Sequence, residues 1–302
     1  MAKSVGPLTY EDFPPRKTEI SGRHQHCLNP GILVRTENMT QESPSARLTA
    51  IVTAGAGAGI GHGISETLSR HGWDLVIVDR DEAASDQLAE QLRAEGGQVE
   101  VLALDVADPS TPGQVIEATL ARFGRIDGLV NNLGIGLTKE TGEASDEEFL
   151  HLFNTDFMSA FRFVKAALPS LRQVGGAILN IGSVHARLGA PKYGLYAATK
   201  AALEAFTRGL AVDYGKDGVR ANIIHPGLIE SAQNEALLAN VVPNPREWMD
   251  EFASKRQCIP RLATAGEVGE LVAFLLGKNS CMITGQSIFI DGGTTSLLWN
   301  NE

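Results

Sequence analysis

From Leu48 onward the chain alternates between short runs of branched apolar residues and longer stretches whose apolar positions fall three and four apart. The first pattern reads as buried β-strands and the second as amphipathic helices. The apolar runs are "LTAIVTA", "WDLVIVD", "QVEVLALDV", "IDGLVNN", "GAILNIGS", "VRANIIHPG" and "SIFIDGG". Helical stretches lie between them. They run from Ile60 through Leu68, over "DEAASDQLAEQLRAEG" and over "TPGQVIEATLARFG". A long one from Asp146 to Gln173 is expected to be interrupted near Pro169, and two more cover Tyr193 to Tyr214 and Ala265 to Leu276. Strands that alternate with helices throughout imply a parallel sheet covered on both faces. No internal repeat is visible. The expected fold is therefore one doubly wound, Rossmann-like α/β domain over residues 47–302, with a parallel seven-stranded sheet and helices on both faces.

Residues 1–46 lack both periods and carry Pro14, Pro15, Pro30 and Pro44, so they read as an irregular N-terminal extension. Within it "HQHC" brings His24, His26 and Cys27 together. No second ligand pair stands at zinc-finger spacing, so no metal site is expected.

Composition narrows the function classes. Of 302 residues, 43% are hydrophobic and 21% charged, which suits a water-soluble domain with a sizeable core. The formal net charge of −10 repels nucleic acid and anionic membrane surfaces. No apolar run approaches the ~20 residues of a membrane span, and the first residues show no apolar leader. Cys27, Cys258 and Cys281 are too scattered for a disulfide framework and fit a reducing cytoplasm. The expected partner is a small molecule, with neither nucleic acid nor membrane.

Chemistry enters at "AIVTAGAGAGIGHGI", which sets five glycines between the first strand and the first helix. In doubly wound folds that turn lies at the carboxyl edge of the sheet, where ligands bind. A helix N-terminus there presents unpaired N–H groups to an anion, and glycine lets backbone approach a pyrophosphate. No Gly-Lys-Ser/Thr follows, which excludes a Walker loop, and strict GxGxxG is absent too. GxxxGxG fits in two registers, Gly55/Gly59/Gly61 and Gly57/Gly61/Gly63. The first is preferred, because it begins directly after the strand and leaves Ile60 between the last two glycines as a core anchor. Asp79 ends the second strand. A carboxylate there accepts ribose hydroxyls of NAD and repels the extra phosphate of NADP. Arg80 is the residue that could instead grip a 2′-phosphate, but the loop itself holds no cation, so NAD is the expected cofactor.

Taken together, "TAGAGAGIG", "LDV", "NNLG" and "YAATK" resemble the short-chain dehydrogenase/reductase family, in its order and spacing, over about residues 46 to 296. The resemblance implies that Asp105 and Val106 lie beside the adenine and that Asn131 and Asn132 support the central strand. Leu133 replaces the usual alanine, and Ala54 stands where threonine is common. The resemblance further implies a catalytic set of Asn154, Ser183, Tyr196 and Lys200. Tyr196 and Lys200, four apart, share a helix face. Ser183 lies thirteen residues before Tyr196. Tyr196 would exchange the hydroxyl proton, Lys200 would tune it and touch the nicotinamide ribose, Ser183 would hold the substrate oxygen, and Asn154 would hold a relay water. A free tyrosine has a pKa of ~10, so one nearby ammonium lowers it usefully only where bulk water is excluded. Tyr193 is seven residues from Lys200 and does not fit that role.

The resemblance also implies that "HPGLIES" borders the nicotinamide, with the Ile229 backbone meeting the carboxamide and Ser231 bonding it. Residues 228–262 would form a substrate lid, holding Leu237, Leu238, Val241, Arg246, Trp248, Met249 and Phe252. "FIDGG" resembles a strand used in tetramer contacts, so a homotetramer or homodimer is expected. His185 and Trp248 are the candidate substrate residues, with Arg187 and Lys192 near them in sequence. The resulting expectation is an NAD(H)-dependent oxidoreductase that interconverts a secondary alcohol and a ketone on a small polar substrate, hydroxylated or carboxylated. Two readings stay open: a biosynthetic tailoring reductase, epimerase or dehydratase of the same family, which product analysis separates, and a non-catalytic nucleotide-binding relative. NADH fluorescence with a panel of ketones discriminates the latter.

Overall fold

The computed structural model describes residues 47–298. The extension over 1–46, with His24, His26 and Cys27, lies outside the described residues. The chain opens with β1 (Thr49–Thr53), fully buried, and turns through the glycines into α1 (Ile60–Arg70). Then come β2 (Asp74–Asp79), α2 (Glu82–Ala94), β3 (Val99–Ala103), α3 (Thr111–Phe123) and β4 (Gly128–Asn131). They are followed by α4 (Asp146–Phe153), α5 (Ser159–Val174), β5 (Ala177–Ile181), α6 (Gly194–Tyr214) and β6 (Arg220–Pro226). The last elements are β7 (Ile229–Glu230), α7 (Ala232–Leu238), α8 (Pro245–Arg256), β8 (Ala263–Thr264), α9 (Ala265–Leu276) and β9 (Ser287–Ile290).

Seven of these strands form one sheet in the order β3-β2-β1-β4-β5-β6-β9, and every pairing is parallel. This is the expected doubly wound α/β fold. Alternate residues of β1 serve opposite faces: Ala50 and Val52 join Ile64 and Leu68 of α1 and Val268 and Val272 of α9. Ile51 joins Val115 of α3 and Phe163, Val164 and Leu171 of α5. Burial on both sides explains why the strands read as continuous apolar runs. The strand order reverses between β1 and β4, which opens a crevice at their carboxyl ends.

Two features depart from the sequence pattern. Pro169 does not break its helix, for α5 runs straight through it. Pro169 and Lys165, whose carbonyl would lose its partner, are both exposed, so water can take the bond. The irregularity falls earlier, in a π-turn over Asn154–Met158 between α4 and α5. Second, β7 and β8 pair through Ile229 with Ala263 and Glu230 with Thr264. This two-residue ladder ties together the two ends of the segment that carries α7 and α8.

Candidate active site

The glycine loop is shaped by close approaches. A Cβ on Gly61 would fall 2.0 Å from the Ala54 carbonyl oxygen, and one on Gly59 would fall 2.1 Å from Oε1 of Gln233. A Cβ on Gly55 would press on Val52 and Ser65 at 3.0 to 3.1 Å. Ile60 packs against the core as expected. Ala54 takes a left-handed φ of 50°, and its carbonyl accepts a hydrogen bond from Nδ2 of Asn132 at 2.8 Å. Asn132 thereby fastens the loop across the β1–β4 crevice. At the N-terminus of α1, Gly59 supplies no side-chain cap, and α7 leans on the loop through the Gln233 N–H, which donates to the Ala58 carbonyl at 3.2 Å. A Cβ on Gly57 would lie in ordinary contact with Oδ2 of Asp79, at 3.9 Å. The backbone N–H groups of Ala56 and Gly57 donate to that same oxygen at 3.1 and 3.2 Å.

Asp79 and the loop therefore form one unit. Asp105 and Val106 follow β3 at the same edge, Asp105 exposed and Val106 buried. The Asn131 side chain turns into the sheet instead, donating from Nδ2 to Oδ1 of Asn180 at 2.8 Å. Leu133 packs on the core. Ile229 is buried in β7, and the Ser231 hydroxyl caps α7 by accepting the Asn234 N–H at 3.2 Å.

Across the crevice, α6 and the end of β5 converge. Lys200 is 3% exposed, with Nζ 5.6 Å from the ring centre of Tyr196 and 3.5 Å from the Ile181 carbonyl oxygen. Ser183 is buried, and its Oγ accepts the His185 N–H at 3.2 Å. The His185 ring stacks on Tyr193 at 4.6 Å, and both meet Tyr196 edge-on at 6.0 and 6.1 Å. Burial lowers the His185 pKa, opposed in part by its bond to the Leu188 carbonyl, which favours a neutral ring. Tyr193, unsuited to proton transfer by its spacing, is nonetheless part of the wall beside Tyr196.

Asn154 is not brought to this cluster. Its Oδ1 accepts from Nη2 of Arg162 at 2.8 Å. The π-turn presents Asp156 instead, whose Oδ2 lies 3.3 Å from Nζ of Lys200. Oδ1 of Asp156 accepts the Ile135 N–H at 2.8 Å. Burial alone would push the Lys200 pKa down and is the largest influence, yet Asp156 and then Tyr196 together raise it above its ordinary value. A signal for Asp156 exists in the sequence: it shares an apolar stripe with Ala160, Phe163, Val164, Ala167 and Leu171, all buried. Asn154 does not lie on that stripe.

Trp248 sits on α8, 38% exposed and stacked on Phe252 at 5.6 Å. Among the described residues no ring contact or hydrogen bond joins it to Tyr196, Ser183 or His185. Met249 is buried with Ala253 and Leu262 in a small core of its own, whereas Leu237 and Val241 are exposed. The cations near the site are engaged elsewhere. Arg187 donates to Oε1 of Glu204 at 2.7 Å, Lys192 faces Glu140 at 4.0 Å, and Arg246 pairs with Glu230. His225 is fully buried, with Nδ1 against the Ser183 carbonyl at 2.8 Å.

A family model described as enoyl-(acyl carrier protein) reductase matches residues 55–295, which contain the loop, Ser183, Tyr196 and Lys200. The chain belongs to the short-chain dehydrogenase/reductase family. The oxidoreductase UcpA of Escherichia coli K12 is 34% identical over 249 residues, covering 82% of this chain and 94% of that protein. A cyclopentanol dehydrogenase of Comamonas is 30% identical over 249 residues, covering 82% and 96%. The L-sorbose reductase of Gluconobacter frateurii, solved with NADPH and L-sorbose, superposes with a TM-score of 0.78 at 30% identity, covering 84% of this chain and 98% of that one. This short-chain dehydrogenase/reductase is therefore an oxidoreductase with a nicotinamide-binding fold. Among its described residues no helix is long and apolar enough to cross a membrane.

Proposed function

We propose that the chain interconverts a secondary alcohol and its ketone on a small, neutral, hydroxylated substrate, with NAD preferred over NADP. The observation that carries this reading is the buried Lys200 ammonium, 5.6 Å from the Tyr196 ring and 3.5 Å from the Ile181 carbonyl oxygen, two residues before Ser183. A bound nicotinamide dinucleotide supplies the hydride acceptor or donor. The glycine loop and the start of α1 would hold its pyrophosphate, and Asp79 its adenosine ribose. Asp105 and Val106 would line the adenine side, and Ile229 and Ser231 the nicotinamide side. The donor set fits such a group: a loop whose Gly55 and Gly61 admit no side chain turns backbone N–H groups toward an edge that ends in the Asp79 carboxylate.

The chain's own groups handle the proton. Ser183 Oγ orients the substrate oxygen, and Tyr196 Oη takes the hydroxyl proton in oxidation and returns it in reduction. Lys200 keeps a positive charge beside Tyr196, and it does so where burial makes charge effective.

Substrate class follows from the wall and from the paired cations. With Arg187 and Arg246 each paired to a carboxylate and Lys192 facing Glu140, a hydroxylated substrate is favoured over a carboxylated one. The neutral His185 ring, stacked on Tyr193, offers a flat surface for a ring or a sugar face. The sorbose reductase and the cyclopentanol dehydrogenase point the same way by the names of their substrates. We place residues 228–262 over this wall as a lid and assign Trp248 a substrate contact on closure. The sheet edge at β9 is the surface through which we infer a homodimer or homotetramer, in the cytoplasm.

The test is a substrate panel of cyclic alcohols, sugars and hydroxy acids followed at 340 nm with NAD and NADP in parallel. Turnover of neutral hydroxylated compounds, faster with NAD, is expected. Turnover of hydroxy acids alone, or of none, overturns the reading.

A further inference from the structure

A buried anion stands where the proposed chemistry uses only a cation and a tyrosine. Asp156 and Lys200 have side-chain exposures of 0% and 3%, so neither charge is shared with bulk water. An unpaired charge in such a place tends to neutralise. Lys200 has few other partners: the Ile181 carbonyl is at 3.5 Å, and Gly134 leaves so little room that a Cβ there would sit 2.7 Å from Nζ. The Thr199 hydroxyl lies 3.5 Å from Oδ2 of Asp156 but is bonded to the Tyr196 carbonyl at 2.8 Å. The other titratable groups around the ammonium are Tyr196 on its own helix and His225 on β6, each felt through charge. Glu204, one turn along α6, is turned away and held by Arg187, Arg208 and Ser287.

We propose that Asp156 is the positioning residue of the site, the counter-ion that keeps Lys200 charged and fixed beside Tyr196 in a cleft where burial would otherwise discharge it. Its second oxygen, on the Ile135 N–H, couples the pair to the segment after β4. The consequence for rate rests on the functional reading above; the charge state of Lys200 does not.

The experiment titrates Lys200 Nζ by 15N NMR in the full chain, assigned against Lys200→Met, in wild type and in Asp156→Asn. The asparagine keeps an oxygen for the Ile135 N–H, removes the charge and turns an NH2 group toward the ammonium in place of Oδ2. Lys200 is expected to lose its proton above the ordinary 10.5 in wild type and at least about one pH unit lower in Asp156→Asn. The alkaline limb of the pH–rate profile is expected to move down with it, which a merely structural role would not produce. A wild-type midpoint below 10.5 overturns the proposal, and this holds even if Asp156→Asn does not fold. Equal midpoints in both proteins overturn it as well. A shifted Nζ titration in a chain that turns over no alcohol supports this proposal and overturns the functional reading alone.

Discussion

Asp79 and Asp156 carry the same side chain at two sides of one crevice, and the structure gives them opposite surroundings. Asp79 is half-buried and is met by the backbone N–H groups of Ala56, Gly57 and Asp81. Asp156 is sealed from water and faces an ammonium. The first is satisfied by groups that carry no net charge, so its negative field still reaches whatever enters the cradle. The second has its field cancelled at close range, so it acts on its neighbour and on nothing beyond. An anion at an open edge selects ligands, whereas a buried one governs the protonation of a partner.

The comparison can be broken most severely from the lysine side. Lys200→Ala leaves Asp156 buried without its cation, and removing one member of a buried pair typically costs about 3–5 kcal/mol. Chemical denaturation should show that loss, together with weaker cofactor binding. A variant as stable as wild type would show that Asp156 is not held as an ion. At Asp79 the expected effect is on selectivity. A lost charge-assisted bond plus repulsion of a 2′-phosphate is worth roughly 2–4 kcal/mol, or about 30- to 1,000-fold in preference for NAD. Asp79→Ala should shrink or reverse that ratio. If wild type uses NADPH at least as efficiently as NADH, Asp79 does not select the cofactor and Arg80 does.

A third carboxylate calibrates both. Glu267 caps α9 together with Thr264 and pairs with Arg261, on the solvent side of the fold. Its pKa is lowered to about 2, first by Arg261 and then by the Thr264 N–H. A depressed carboxylate stabilises the fold above its ordinary 4.5 and loses that contribution as pH falls towards 2. Screened by solvent, the effect is small. Glu267→Gln should cost about 1 kcal/mol or less at neutral pH, and the difference should close between those two values in acid unfolding curves. A difference independent of pH would assign the effect to the cap's shape and not its charge.

Much of this molecule can be read along the chain because parallel strands buried on both faces leave an unmistakable apolar record. The glycine loop is legible for a similar reason: its requirement is on the backbone, and glycine is the visible answer. What escaped was decided by tertiary contact. Asn154 and Asp156 lie within one helical turn, and only the burial of the stripe through Ala160 and Phe163 shows which one faces Lys200. Arg187 looks free in sequence, but its partner Glu204 is brought to it by the turn into α6. Trp248 is the exception: its spacing of four to Phe252 puts both rings on one face of α8, so their stacking is a local contact. The β7–β8 ladder is two residues long and leaves no period to find.

The central claim is that Tyr196 carries the proton of an alcohol–ketone interconversion. It is tested most directly by comparing wild type and Tyr196→Phe at saturating cofactor, with the cofactor dissociation constant measured in the same preparations. Phenylalanine keeps the packing against His185 and Tyr193 and removes only the hydroxyl. Loss of at least about 100-fold in turnover is expected, with cofactor affinity changed by no more than a few-fold. Turnover close to that of wild type in Tyr196→Phe would contradict the account.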